Sequence, residues 1–179
     1  MKKASITGPT WLTFARLVMS VAGFGFLMAP LGWAKIVALA LFVVAAITDK
    51  IDGIWARRSK NVTNAGAFLD PLADKMLVNL TFLALVVMGV VPVWAFAVIL
   101  VRDFAVDGLR MMAAERRKVI AASRLGKFKT GFQMAALIIL LLSLAVDYDW
   151  IAIIGEITLY VALVLTVISA GDYFRKYMV

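Results

Sequence analysis

Six long apolar stretches dominate this chain of 179 residues, and only short breaks separate them. A bilayer span needs about 20 predominantly apolar residues, and the stretches are near that length. The chain is 64% hydrophobic, whereas water-soluble domains are about 45–50% apolar. The sequence therefore predicts an all-α integral membrane bundle of six transmembrane helices, forming a single domain over 1–179. The expected helices cover 11–29, 33–56, 67–89, 92–114, 131–146 and 150–171.

Basic residues indicate how these helices are oriented. They lie on alternate connections, and the other three connections carry no Lys or Arg. Because Lys and Arg concentrate on cytoplasmic loops, we expect both termini to face the cytoplasm of a bacterial-type plasma membrane. The basic residues concerned are Lys2, Lys3, Arg57, Arg58, Lys60, Arg116, Arg117, Lys118, Arg124, Lys127, Lys129, Arg175 and Lys176.

Composition narrows the chemistry that such a protein can perform. Cysteine and histidine are both absent, which excludes thiol nucleophiles, disulfides and histidine-based metal or acid–base chemistry. The net charge of +8 suits an anionic partner. In so apolar a chain it favours lipid head groups and phosphorylated substrates over nucleic acid.

Four aspartates lie where a plain membrane anchor would carry no charge. Asp49 and Asp52 are three residues apart, and Asp70 and Asp74 are four apart, so a helix places each pair on one face. Both pairs lie at the expected cytoplasmic ends of adjacent helices. Four carboxylates at a bilayer edge repel one another and are costly to desolvate. One or two divalent cations remove that cost, and all-oxygen ligands favour Mg²⁺ or Mn²⁺ over Zn²⁺.

The residues between the two pairs favour a bound diphosphate. Gly53 and Gly66 leave space for a ligand to approach the backbone, and Arg57 offers a fork of donors suited to phosphate. The alternative is that the acids are simply solvated at helix ends. Four acids at helical spacing, with these residues interleaved, favour a phosphoryl-transfer site instead.

At these positions the sequence strongly resembles a known family, the CDP-alcohol phosphotransferases. Their signature is Asp-x2-Asp-Gly-x2-Ala-Arg-x8-Gly-x3-Asp-x3-Asp, and residues 49–74 match it without a gap. The resemblance implies six transmembrane helices, a cytoplasm-facing site, two divalent ions and a homodimer. It implies that Asp49, Asp52, Asp70 and Asp74 bind the ions and that Asp74 is also the general base. The residues implied for CDP-diacylglycerol are Thr13, Asp52, Gly53, Ala56, Arg57, Thr63 and Gly66.

Other segments resemble the phosphatidylglycerophosphate synthase branch of that family. The similarity includes Asp-Pro-Leu-Ala-Asp-Lys at 70–75, an Arg-acid pair and a Gly-Leu-Arg turn within 102–110, and Gly-Lys-x-Lys-Thr at 126–130. The N-terminal Leu-Thr-x-x-Arg at 12–16 also resembles the family. The branch implies transfer of a phosphatidyl group from CDP-diacylglycerol to sn-glycerol 3-phosphate, giving phosphatidylglycerophosphate and CMP.

The basic residues near the fourth and fifth spans agree with a phosphorylated acceptor. We predict that Arg102, Arg110, Lys127 and Lys129 bind its phosphate, because cations beside a metal site form a second phosphate pocket. Alternatively, the stretch 116–129 only attracts anionic lipid. Asp103 and Asp107 depart from the residues common in this branch, and Glu156 has no assigned role.

Two further functions stay open at this point. In the first alternative the fold and the chemistry are the same but the acceptor is inositol phosphate or serine, although serine has no need of a cation cluster. A divalent-cation transporter is a more distant alternative, since acids within a membrane also line ion pathways. A pathway needs acids at midplane depth, whereas these four are expected at one cytoplasmic edge beside glycine and arginine.

Overall fold

The structure is a computed structural model of the chain that describes residues 8–59, 64–115 and 124–178, with side chains described within 11–49, 72–113, 115 and 125–175. Within those ranges all regular secondary structure is helical, which confirms the predicted all-α class. The helices are α1 (Gly8–Met28), α2 (Gly32–Ser59), α3 (Asn64–Val87), α4 (Val93–Glu115), α5 (Arg124–Val146) and α6 (Asp149–Met178).

α2, α5 and α6 continue past the apolar stretches that predict them and into charged sequence. α2 runs to Ser59, α5 begins at Arg124 and α6 runs to Met178. The predicted start of the fifth helix at residue 131 is therefore too late. Hydrophobicity marks the part of a helix that suits lipid, but Lys and Arg are good helix formers, so the helix extends into the charged sequence.

The breaks between helices lie where Gly, Pro and Asp punctuate the sequence. Gly89 has φ of 75°, a left-handed conformation that ends α3 and that glycine adopts without steric cost. Pro92 follows, and the amide of Ala95 donates to its carbonyl at the start of α4 (3.0 Å). Asp147, with φ of 56°, ends α5 in the same way, because its amide donates to the carbonyl of Ser143 (2.9 Å).

The chain divides into an N-terminal unit, Met1–Ala84, and a C-terminal unit, Leu85–Val179. In the N-terminal unit α1 packs against α2. Ala34, Ala38 and Ala45 of α2 are fully or almost fully buried. Small side chains at this spacing let two helix backbones approach closely, as is usual where lipid surrounds a bundle.

In the C-terminal unit α6 is the common partner, because both α5 and α4 pack against it. Leu137, Leu140 and Leu141 of α5 and Leu159 of α6 are buried at that core. Gly155 lies directly against Leu140: a Cβ atom built on it would be 2.6 Å from Leu140 Cδ2 and 3.3 Å from the Leu140 backbone nitrogen.

Large apolar side chains are exposed on every helix, which suits a surface surrounded by lipid. Among the residues that the structure describes, four helices are long and apolar enough to cross a bilayer, over Trp11–Met28, Gly32–Asp49, Leu125–Val146 and Asp149–Arg175. α3 and α4 have 24 and 23 residues, which is also sufficient length. Both carry charges in their interiors: α3 contains Asp70, Asp74 and Lys75, and α4 contains two Arg and two Asp within 102–110.

We expect Gly155→Ala to destabilise the C-terminal unit by about 1–3 kcal/mol, because the new methyl group overpacks the contact with Leu140. The measurement is the thermal unfolding midpoint in detergent. Gly171→Ala on the same helix is the matched control, because nothing lies within 4 Å of a Cβ there and alanine favours a helix by about 1 kcal/mol. An unfolding midpoint for Gly155→Ala equal to that of Gly171→Ala would contradict the packing.

Candidate active site

The four aspartates of the motif lie on two helices of the N-terminal unit, as predicted. Asp49 and Asp52 are within α2, and Asp70 and Asp74 are within α3. Each pair therefore has the helical spacing that the sequence analysis assumed. The side chains of Asp52 and Asp70 lie outside the described part of the structure, whereas those of Asp49 and Asp74 are described.

Arg16 of α1 brings Asp49 and Asp74 together. Its Nη1 atom is 2.9 Å from Asp49 Oδ1 and 3.0 Å from Asp74 Oδ1. One nitrogen thus contacts two carboxylates that are 25 positions apart in the sequence. α2 and α3 are arranged so that one acid of each predicted pair reaches a common point.

Burial differs sharply across this group. The Arg16 side chain is only 1% exposed, whereas those of Asp49 and Asp74 are 40% and 48% exposed. The guanidinium therefore lies behind the carboxylates, and the carboxylates face open space. An ionised carboxylate accepts about four hydrogen bonds, so the contacts with Arg16 Nη1 leave each acid able to bind a ligand from its exposed side.

This donor set fits the divalent ions that the family resemblance implies. Mg²⁺ and Mn²⁺ prefer carboxylate oxygens, and both described acids have exposed carboxylates in a shared position. Among the described side chains no group of three or more acids comes together. The remaining two predicted ligands, Asp52 and Asp70, are not among those side chains.

The residues predicted to bind CDP-diacylglycerol fall mostly outside the described side chains. Gly53, Ala56 and Arg57 lie in α2 and Gly66 lies in α3, but the structure describes only their backbone. Thr63 lies outside the described residues. Thr13 is described: it is buried, one helical turn before Arg16 on the same face of α1.

A second charged cluster lies in the C-terminal unit, where a single acid contacts two bases. Asp103 Oδ1 accepts from Lys129 Nζ (2.5 Å) and from Arg102 Nη1 (3.0 Å). Lys129 is almost fully buried, and the Arg102 side chain is 12% exposed. Arg102 Nη2 also donates to the Ser169 hydroxyl of α6 (2.8 Å).

Tyr173 of α6 connects two of the predicted acceptor residues. Arg110 Nη2 donates to its hydroxyl oxygen (2.6 Å). The guanidinium carbons of Arg110 and Arg102 lie 5.1 and 5.7 Å from its ring centroid, within the range of cation–π attraction. Arg102, Arg110 and Lys129 are thus joined through Asp103 and Tyr173.

The structure does not bring Lys127 into this group. Lys127 is exposed and lines a surface cavity of about 420 Å³ together with Phe128, Gly131, Phe132 and Ala135. Lys127 and Lys129 are two positions apart on a helix, so their side chains point to nearly opposite faces. The assignment of Lys127 to the acceptor phosphate stays a prediction.

Arg16, Ser169 and Tyr173 are site residues that were not predicted from the sequence. Arg16 had a signal, because an arginine within the first apolar stretch is costly and normally marks a paired, functional position. Ser169 and Tyr173 had a weaker signal. They are four residues apart on one face of the last helix, but an isolated Ser or Tyr in an apolar stretch is common.

Comparison with known proteins agrees with the motif. Residues 6–168 match the family model described as CDP-alcohol phosphatidyltransferase. A CDP-diacylglycerol–glycerol-3-phosphate 3-phosphatidyltransferase of Bacillus subtilis (strain 168) is 37% identical over 181 aligned residues, covering 94% of this chain and 93% of the relative. Proteins of the same name from Sodalis glossinidius (strain morsitans) and Rickettsia bellii (strain RML369-C) are 41% and 38% identical, covering 92% and 93% of this chain and 91% and 93% of their own. The chain belongs to the CDP-alcohol phosphatidyltransferase family.

Proposed function

We propose that this protein transfers the phosphatidyl group of CDP-diacylglycerol to sn-glycerol 3-phosphate, producing phosphatidylglycerophosphate and CMP. The observation that carries the proposal is the convergence of Asp49 and Asp74, from two helices, on one buried arginine inside the family motif. The names of relatives at 37–41% identity support the choice of donor and acceptor.

The proposed enzyme is one membrane domain over 1–179 with six spans, both termini and the active site on the cytoplasmic side, and a homodimeric assembly as the family resemblance implies. The alternation of Lys and Arg between connections supports the orientation. The lengths of α3 and α4 support the count of six spans, and their charge is explained if they contribute the active site.

The donor site is proposed at the four aspartates. Asp49, Asp52, Asp70 and Asp74 would hold two Mg²⁺ or Mn²⁺ ions, which neutralise the diphosphate charge when bound. Thr13, Asp52, Gly53, Ala56, Arg57, Thr63 and Gly66 would contact CDP-diacylglycerol.

Asp74 is proposed as the general base. Its half-exposed carboxylate is accessible to an incoming alcohol. Asp74 takes the proton of the acceptor hydroxyl while that oxygen attacks the β-phosphorus, the one esterified to diacylglycerol. The bond from this phosphorus to the bridging oxygen breaks, and CMP leaves with that oxygen. The proton on Asp74 is then released to solvent.

The acceptor phosphate is proposed to bind at Arg102, Arg110 and Lys129, with Lys127 the fourth predicted member. Asp103 offsets one of the two positive charges of Arg102 and Lys129, so these three residues keep an excess of one formal positive charge. Guanidinium groups bind phosphate by charge-assisted hydrogen bonds. A neutral acceptor such as serine makes no use of this excess.

We expect CMP release from CDP-diacylglycerol by the purified protein to require an acceptor and to be fastest with glycerol 3-phosphate. The measurement offers glycerol 3-phosphate, inositol phosphate and serine in turn. Faster CMP release with inositol phosphate or serine would support phosphatidyl transfer from CDP-diacylglycerol but contradict glycerol 3-phosphate as the acceptor. Movement of Mn²⁺ into vesicles without any CMP release would instead favour the transporter.

We expect chelation of divalent ions to abolish CMP release and re-addition of Mg²⁺ or Mn²⁺ to restore it.

Asp74→Asn should lower turnover by about 10²-fold or more while CDP-diacylglycerol still binds by calorimetry, because the amide cannot accept the proton. Glu156→Gln is the matched control, since Glu156 is exposed near the start of α6. Retained turnover in Asp74→Asn would exclude it as the base.

We expect Tyr173→Phe to raise the KM for glycerol 3-phosphate several-fold with little change in the KM for CDP-diacylglycerol, because Arg110 loses its hydroxyl partner. Lys129→Ala should have a larger effect of about tenfold to a hundredfold, as a charge-assisted contact contributes about 1.5–3 kcal/mol. Steady-state kinetics with each substrate varied gives both constants.

Lys127→Ala is the comparison for Lys129→Ala, because the same substitution is made two positions away on the other face of α5. An equal rise in the KM for glycerol 3-phosphate would place Lys127 in the acceptor site with the others. If the KM for glycerol 3-phosphate is unchanged in both Lys129→Ala and Tyr173→Phe, the proposed acceptor site is wrong.

A further inference from the structure

Arg16 contacts two proposed metal ligands without being able to contact substrate itself. Its side chain is 1% exposed, so neither a lipid head group nor a free alcohol reaches it. The acids that it contacts are 40% and 48% exposed. Any effect of Arg16 on the reaction therefore passes through the groups that it contacts, and these include Asp49 and Asp74.

The negative charges of Asp49 and Asp74 explain why an arginine is needed beside them. Two carboxylates that reach one point repel each other strongly when little water separates them. A guanidinium cannot lose its proton in a protein, so its charge is present whether or not a cation is bound. Arg16 thus offsets the repulsion between Asp49 and Asp74 permanently, whereas a dissociable cation does so only when bound.

The geometry also shows how Arg16 leaves the acids available. The contacts at 2.9 and 3.0 Å use the same nitrogen of Arg16, Nη1, and the Oδ1 oxygen of each acid. Contacts of this kind fix where each carboxylate lies and leave its exposed side to face a ligand. One positive charge against two negative charges leaves the group net negative, as a cation site requires.

We propose that Arg16 is a positioning residue that holds Asp49 and Asp74 beside each other before the divalent ions arrive. This inference rests on the proposed function, because it takes the two acids to be metal ligands. It gives α1 a role in the reaction, although all four motif aspartates lie on α2 and α3. Arg16 acts on the turnover rate through the placement of Asp74 and makes no direct contact with either substrate.

Arg16→Gln removes the charge and keeps a similar side-chain volume near the backbone. In chelator, where the repulsion between the acids is uncompensated, we expect its unfolding midpoint to fall by about 5 °C or more. Saturating Mn²⁺ should then raise that midpoint by more than it raises the parent's, because the ions now remove repulsion that Arg16 removes in the parent. The turnover rate should fall by about 10²-fold, with little change in either KM.

Arg102→Gln is the matched control, because Arg102 is also a mostly buried arginine paired with an aspartate, but in the C-terminal unit. Its midpoint in chelator should fall, while the shift caused by Mn²⁺ should equal the parent's. Arg16→Lys restores the charge and should recover part of both the midpoint and the turnover rate. In Arg16→Gln/Asp74→Asn one acid is neutralised, so the midpoint in chelator should recover, as coupled residues behave in a double-mutant cycle.

An Mn²⁺ shift in Arg16→Gln equal to the parent's would overturn the proposal. So would an Arg16→Gln protein that neither Mn²⁺ nor Asp74→Asn restores to a folded state, because Arg16 would then serve packing alone. Failure of the proposed function gives a different result: the parent itself shows no Mn²⁺ shift and no CMP release.

Discussion

The contact of one buried arginine with two carboxylates is the interaction on which the N-terminal unit depends. A guanidinium that is 1% exposed has lost most of its hydration, and such a charge is tolerated only when it is well paired. Asp49 and Asp74 provide that pairing from α2 and α3, so Arg16 of α1 connects all three helices. The requirement to neutralise one charge thereby places two motif acids side by side.

The C-terminal unit uses the same principle with the opposite sign. There one acid, Asp103, contacts two bases, Arg102 and Lys129. These three residues have a formal excess of one positive charge, whereas Arg16, Asp49 and Asp74 have a formal excess of one negative charge. The first excess suits a phosphate and the second suits a divalent cation. A reaction between a diphosphate donor and a phosphorylated acceptor needs both kinds of site.

The sequence was sufficient for the helices and for the motif acids, because apolar length and i,i+3 or i,i+4 spacing are local properties. It was insufficient for partners that are distant in the chain. Nothing local shows that Arg16 contacts Asp49 and Asp74, or that Tyr173 receives a hydrogen bond from Arg110. The predicted start of α5 was too late because the first turns of this helix are charged. Lys127 and Lys129 lie in those turns, so their positions on opposite faces of α5 were not predicted either.

The central claim is that Asp49 and Asp74 belong to one cation centre. A diffraction experiment on crystals of the protein soaked in Mn²⁺ tests it most directly, because anomalous scattering locates the metal independently of the refined side chains. The account predicts anomalous density with carboxylate oxygens of Asp49 and Asp74 among its ligands, at about 2.0–2.6 Å as hard cations require. Density elsewhere on the chain, with none at these two acids, would contradict it.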